Sequence, residues 1–211
     1  MNIRRLTAIA FFGLAVAGCS STETATREIP LETAAISPDQ VSLDVKQVRV
    51  SVPKTLTVSE ANRYYPGGDI VWREDPLGDR HAQVQAIVAA GIQEGVDALG
   101  TGQYPVILDV QVTRFHALTE KARYTTGGVH SIKFYVMLRD AKTGQPISQP
   151  DHVEADFRAL GGQAAVQAEN RGITQKVRIT KHLAQVIQQE LTTNEGYNAK
   201  NLGFYGVLNQ F

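Results

Sequence analysis

The side chains of this 211-residue chain that could do metal or nucleophile chemistry are few: five histidines, one cysteine and dispersed carboxylates. His81, His116, His130, His152 and His182 never fall in the HExxH spacing, which puts two imidazoles on one face of a helix to grip a metal. His152, Glu154 and Asp156 alternate along a predicted strand, so three metal-capable groups would share one face. Exposed strand faces carry such residues routinely, and that plainer reading is preferred. The single cysteine, Cys19, excludes a cysteine-based zinc site. No GxSxG elbow offers a hydrolase nucleophile. Gly100-Thr101-Gly102 follows a predicted helix where a phosphate loop would open one, so it reads as a C-cap and turn. The expectation is no catalytic residue, no metal, no cofactor and no enzyme. Residues that could instead meet a partner are Trp72, Arg114 beside Phe115, the Lys121, Arg123 and Tyr124 cluster, and the aromatics Tyr197, Phe204, Tyr205 and Phe211 of an apolar tail. For Arg114 and the cluster, which would suit an anionic partner, a solvated hairpin tip is the preferred reading.

Cys19 has a context of its own. Arg4 and Arg5 form a short positive region, and Leu6 to Gly18 an apolar run that turns polar at Ser20-Ser21-Thr22. A membrane-spanning helix needs roughly 20 apolar residues, so the layout fits a cleavable leader over residues 1–18. Leu14-Ala15-Val16-Ala17-Gly18-Cys19 resembles the bacterial lipobox, in which small residues precede a cysteine that receives a diacylglyceryl group. The resemblance implies cleavage between Gly18 and Cys19 and acylation of the new terminus. Cys19 is incidental if the leader is instead cut near Ala17. Two or three acyl chains would anchor the protein durably, whereas one anchors only marginally. Ser20 resembles the sorting context of lipoproteins sent to the outer membrane, which implies its periplasmic face.

Removing the leader takes two arginines and no acids, leaving 19 basic and 21 acidic residues in 193. That balance, without a basic cluster, gives no electrostatic footprint for nucleic acid. It also leaves no pair of cysteines for a disulfide, so the fold must rest on hydrophobic burial.

The elements that must position any site follow from periodicity. Residues 19–40 read as a tether rich in Ser, Thr, Glu, Ala and Pro. A single α+β domain is expected over 41–194, followed by the apolar tail 195–211. Val41, Leu43 and Val45 alternate in one phase and Val48, Val50 and Val52 in the other, which predicts a strand bulged near Lys46–Gln47 and closed by Pro53. Residues 53–80 form a connection long enough to be a candidate functional surface, with Tyr64-Tyr65-Pro66-Gly67-Gly68 and the lone Trp72. Trp72 either presents to a partner or begins a short strand and packs in the core.

Asp79 is the expected N-cap of a helix whose stripe is Val84, Ile87, Val88, Ile92, Val96 and Leu99. Gly91 and Gly95 inside it each cost about 1 kcal/mol relative to alanine. A close backbone approach should offset them, and a sheet is the expected neighbour. Val106, Leu108, Val110 and Val112 mark a strand with an opposite polar face, Ile132, Phe134, Val136 and Leu138 a second, and Val153, Ala155 and Phe157 a third. Ile173, Val177, Thr180, Leu183, Ala184, Ile187 and Leu191 form a second helical stripe. The order strand, helix, three strands, helix predicts a mainly antiparallel sheet with both helices on one face.

Two resemblances extend this reading. Val71-Trp72-Arg73-Glu74-Asp75-Pro76-Leu77, followed by a helix and then Leu108 to Phe115, resembles the auxiliary lipoproteins of intermembrane lipid-transport ABC systems. More narrowly, Gly78-Asp79-Arg80-His81-Ala82-Gln83 and Arg171 to Ile179 are similar to alphaproteobacterial lipoproteins of unknown function. Neither supplies a catalytic residue. They imply a lipid-anchored, non-enzymatic accessory or interaction module with an envelope protein partner. The alternative is a lipid-binding carrier that holds an acyl chain between sheet and helices.

Overall fold

A computed structural model describes residues 42–199 of the chain. Strand β1 (Leu43–Ser51) shifts register between Val45 and Gln47. The extra residue reverses the inward parity, so Leu43 and Val45 before it and Val48 and Val50 after it all reach the core. A short strand, β2 (Ile70–Val71), precedes helix α1 (Arg80–Asp97), whose N-cap is Asp79 accepting from the Ala82 amide at 3.1 Å. Then come β3 (Tyr104–His116), a single helical turn α2 (Glu120–Arg123) and β4 (Gly128–Asp140). β5 (Asp151–Glu154), β6 (Phe157–Ala159), α3 (Gln163–Glu169) and α4 (Gln175–Thr192), capped by Thr174, complete the fold.

β3 is the axis of the sheet. It pairs in parallel with β1 and β2 and antiparallel with β4, which pairs antiparallel with β5 and β6. The fold is therefore α+β, with a six-stranded, mostly antiparallel sheet. One face carries Leu108, Val110 and Val112 of β3 with Phe134 and Val136 of β4. It packs against Val84, Val88 and Ile92 of α1 and Ile179, Leu183 and Ile187 of α4 in one continuous core. Each such side chain contributes about 1.5–3 kcal/mol on burial. The other face presents Arg49, Gln111, Lys133, Tyr135 and Glu154, the polar parity expected of a sheet covered on one side.

Three expectations need correction. The close approach at Gly91 and Gly95 is real, but the neighbour is α4, not the sheet. A Cβ on Gly95 would lie 2.5 Å from the Ala184 carbonyl oxygen, and one on Gly91 would lie 2.8 Å from that of Thr180. The third strand is broken into β5 and β6, because Asp156 turns back to accept from the Ile132 amide at 2.9 Å and the Ser131 hydroxyl at 3.1 Å. Its carboxylate is thus drawn into β4, while Glu154 pairs with Lys133 at 2.7 Å. The buried seam of α4 centres on Ile179, Leu183, Val186 and Ile187, whereas Ile173 precedes the helix and is exposed.

Candidate functional site

The connection from Pro53 to Asp79 is a built structure. Thr57 and Asp69 close it at its waist, with the Asp69 carboxylate accepting from the Thr57 amide at 2.8 Å and hydroxyl at 2.6 Å. Those bonds hold the Asp69 carboxyl below the usual carboxylate range. Trp72 is wholly buried: its ring meets Phe115 edge-on at 5.9 Å, and Nε1 donates to Asp75 at 2.8 Å. The indole therefore offers no surface to a partner, and the core reading of Trp72 replaces the interaction-surface reading.

Around it lies a network of charges. Arg80, 5 % exposed, donates to the Glu60 carboxylate at 2.6 Å, to the carbonyls of Asp75 and Pro76, and to Gln83 Oε1 at 2.7 Å. Arg73 bridges Glu60 and Glu120. Lys176 pairs with Asp75, and Glu74 accepts from the Lys176 amide in the first turn of α4, where the helix dipole favours a carboxylate. Arg123 is buried between Glu74 and Glu169. Of the Lys121, Arg123 and Tyr124 cluster, Arg123 is thus drawn into the network, while Lys121 and Tyr124 remain exposed. The segments Val71–Leu77, Gly78–Gln83 and Arg171–Ile179 converge on this network, so what they share is a clasp that pins loop, α1 and α4 together.

The clasp positions a cavity of about 570 Å³ on the far side of the loop. Its walls are the Tyr64–Gly68 loop, the end of β3 with Leu118, and the start of β4 with Val129. Thr119 donates to the Arg63 carbonyl at 2.9 Å, and the Lys121 amide to Asn62 at 2.8 Å, which fixes the loop against α2. Tyr64 and Tyr65 are exposed, Tyr65 by 70 %. Lys121 Nζ stands 4.9 Å from the centre of the Tyr64 ring.

Arg114 and His116 enter the cavity from β3. The bulge between Val112 and Arg114 sends Phe115 into the core, and so turns its two neighbours to the open face. His116 Nε2 donates to the Gly68 carbonyl at 2.8 Å, and Nδ1 accepts from Arg114 Nη2 at 3.0 Å. Burial and the adjacent guanidinium lower the His116 pKa to about 4, so the ring is neutral at pH 7. The Nε of Arg114 is buried and has no hydrogen-bond partner among the described residues.

A second hollow of about 770 Å³ lies on the open sheet face between Arg49, Asp109, Gln111, Tyr135 and Arg139. There Arg139 pairs with Asp109 at 2.5 Å, and Arg49 donates to Gln47.

Of the residues singled out from sequence, Arg114 and the Tyr64–Gly68 run line the cavity. Tyr197 is half-buried beside His182, at 6.1 Å between ring centres, and is packed against the core. Gly18, Cys19, Phe204, Tyr205 and Phe211 lie outside the described residues. The long connection contributes Tyr64-Tyr65-Pro66-Gly67-Gly68 as one wall. Leu118, Val129 and His116 had no local signal.

The buried imidazoles make stability depend on pH. Burial lowers His130 to about 3, and His116 lies at about 4, whereas an unfolded histidine titrates near 6.5. The folded state then binds fewer protons. The stabilisation is complete above pH 6.5 and is lost as pH falls through that value toward 4 and 3. Glu190, whose carboxyl is pushed up by burial and by Asp151, works in the opposite sense. Urea midpoints should therefore fall between pH 7.5 and 5, and His130→Phe should show a shallower fall. An equal slope in the variant would exclude His130 as a source.

Fold and site together define an α+β domain with helices on one face and a partly apolar cavity at the end of its central hairpin. The chain belongs to a family of unknown function, DUF6778, whose model matches residues 43–207. No curated protein matches it. Among solved structures, it is similar to a candidate lipoprotein from Caulobacter crescentus CB15, with 19 % identity over 49 % of this chain and 79 % of that one, at a TM-score of 0.30. It is also similar to an uncharacterized protein, with 19 % identity over 71 % of this chain and 86 % of that one, at a TM-score of 0.33.

Proposed function

We propose that this chain is a lipid-anchored envelope lipoprotein whose α+β domain serves as a non-enzymatic accessory or interaction module, held at the periplasmic face of the outer membrane and acting in envelope lipid transport. The observation that carries the anchor is Leu14 to Cys19: small residues ahead of the sole cysteine, at the end of a charged-then-apolar leader. The observation that favours a binding role is the cavity beside an open sheet face. No helix among the described residues is long and apolar enough to cross a membrane, so attachment in this reading rests on Cys19.

The carrier alternative places an acyl chain between sheet and helices. That space is filled by Val88, Ile92, Leu108, Phe134 and Leu183, all of them buried. Side chains packed at crystal-like density leave no room for a chain there, which favours the accessory reading.

Cys19→Ser is expected to move the protein from the membrane to the soluble fraction while leaving its circular dichroism spectrum and urea midpoint unchanged. Retention of the variant in washed membranes would sink the anchor. The accessory role predicts that crosslinkers placed at Tyr65 or Tyr197 capture an envelope protein.

A further inference from the structure

We propose that the cavity between the Tyr64–Gly68 loop and the β3–β4 hairpin binds an anionic amphiphile: an apolar chain bearing one carboxylate or phosphate head. The inference rests on reading this cavity as the binding surface of the domain, and it is independent of the anchor.

Size and chemistry agree. About 570 Å³ falls within the roughly 300–1,000 Å³ of small-molecule sites. Pro66, Leu118 and Val129 give apolar walls, and the Tyr64 and Tyr65 rings lie beside them.

The charge that lines this cavity is that of Arg114. Arg73, Arg80, Arg123 and Arg139 each have a carboxylate at ion-pair distance. Arg114 is half-buried and has none among the described residues. One of its nitrogens is engaged by neutral His116, and Nε is unmatched. Asp69 is near enough for Arg114 to lower its pKa but stands beyond ion-pair distance, with its Oδ2 turned to the amide and the hydroxyl of Thr57. A half-buried guanidinium with no carboxylate in direct contact keeps donors to spare, and a carboxylate or phosphate is the group that matches them best. Lys121, over the Tyr64 ring, adds a second positive charge beside the cavity. Neutral His116 contributes no charge, and its proton on Nε2 is committed to Gly68.

The test uses the full-length chain with phosphatidylcholine vesicles and three photoreactive probes of equal length: a diazirine-bearing dodecanoate, the corresponding dodecyl phosphate and the corresponding dodecanol. The acid or the phosphate should label residues 64–68 and 114–129, and the alcohol should label them at least about tenfold less. Arg114→Gln should reduce anionic labelling by a similar factor, and Arg114→Lys should restore part of it. Tyr65→Glu, at a site exposed enough to leave the fold unchanged, should also suppress labelling through repulsion at the cavity. Displacement by unlabelled dodecanoate assigns a fatty-acid head, and displacement by lysophosphatidic acid a lipid phosphate. Equal labelling by the alcohol, labelling elsewhere, displacement by neither competitor, or full labelling of a folded Arg114→Gln variant would overturn the proposal. None of these outcomes bears on the Cys19→Ser fractionation, so the two readings fail separately.

Discussion

Gly95→Ala is expected to destabilise the domain by about 2–3 kcal/mol, although alanine is the better helix former by about 1 kcal/mol. The added methyl would stand 2.5 Å from the Ala184 carbonyl oxygen and 2.3 Å from Ile187 Cγ2, inside the contact distance of both. Ala184 belongs to the backbone of α4 and cannot rotate away. The helices must therefore separate, and separation opens the seam where Ile92, Leu183 and Ile187 are buried. Gly91→Ala meets the Thr180 carbonyl at 2.8 Å and should cost less. Urea unfolding measures both, with exposed Gln93→Ala as the control, expected to change stability by no more than about 0.5 kcal/mol. A gain of stability in Gly95→Ala would mean that propensity dominates and that α1 and α4 do not approach so closely.

The second large effect is at Arg80. Arg80→Ala should cost about 2–4 kcal/mol, because it leaves the Asp75 carbonyl without its donor and takes one donor each from the Pro76 carbonyl, which keeps Gln83, and from the Glu60 carboxylate. The low end of that range reflects Glu60, which is partly exposed and keeps Arg73. Arg80→Lys retains the charge but loses the planar fork that reaches several acceptors at once, and should recover only part of the loss. Because Glu60, Arg73 and Glu120 continue the network to α2, the same substitution should increase amide exchange across residues 57–70 before it affects α1. Uniform loss of protection over the whole domain would show that the loop has no stability of its own apart from the core.

Much of the scaffold was legible before any tertiary contact was known. The phase change across Lys46–Gln47, the Asp79 cap, the α1 stripe and the inward parity of β3 and β4 all follow from residues within a few positions of one another. Asp79 is an instance: its carboxylate closes onto an amide three residues on, a contact that needs no distant partner. The α+β class followed from the order of such elements. Cys19 likewise owes its meaning to the residues on either side of it.

Other features depended on which surfaces meet. Gly91 and Gly95 announced a close neighbour, but a glycine has no side chain with which to name it, and α4 rather than the sheet fills the place. A large aromatic suits both a core and a partner surface, and Trp72 was settled by Phe115, Asp75 and the clasp around it. The cavity is the clearest case. Its loop and its hairpin are joined by contacts such as that between Thr119 and Arg63, 56 residues apart. Arg114 looks in sequence like any cation at a strand end. Only the folded chain shows that its neighbours leave it without a carboxylate.

Local periodicity thus determined the elements and the class of fold, and the first 19 residues the expectation of an anchor, since each is encoded over a few consecutive residues. Which helix met which, where Trp72 went and what surrounds Arg114 were decided by tertiary structure, because burial and charge pairing depend on distant segments brought together.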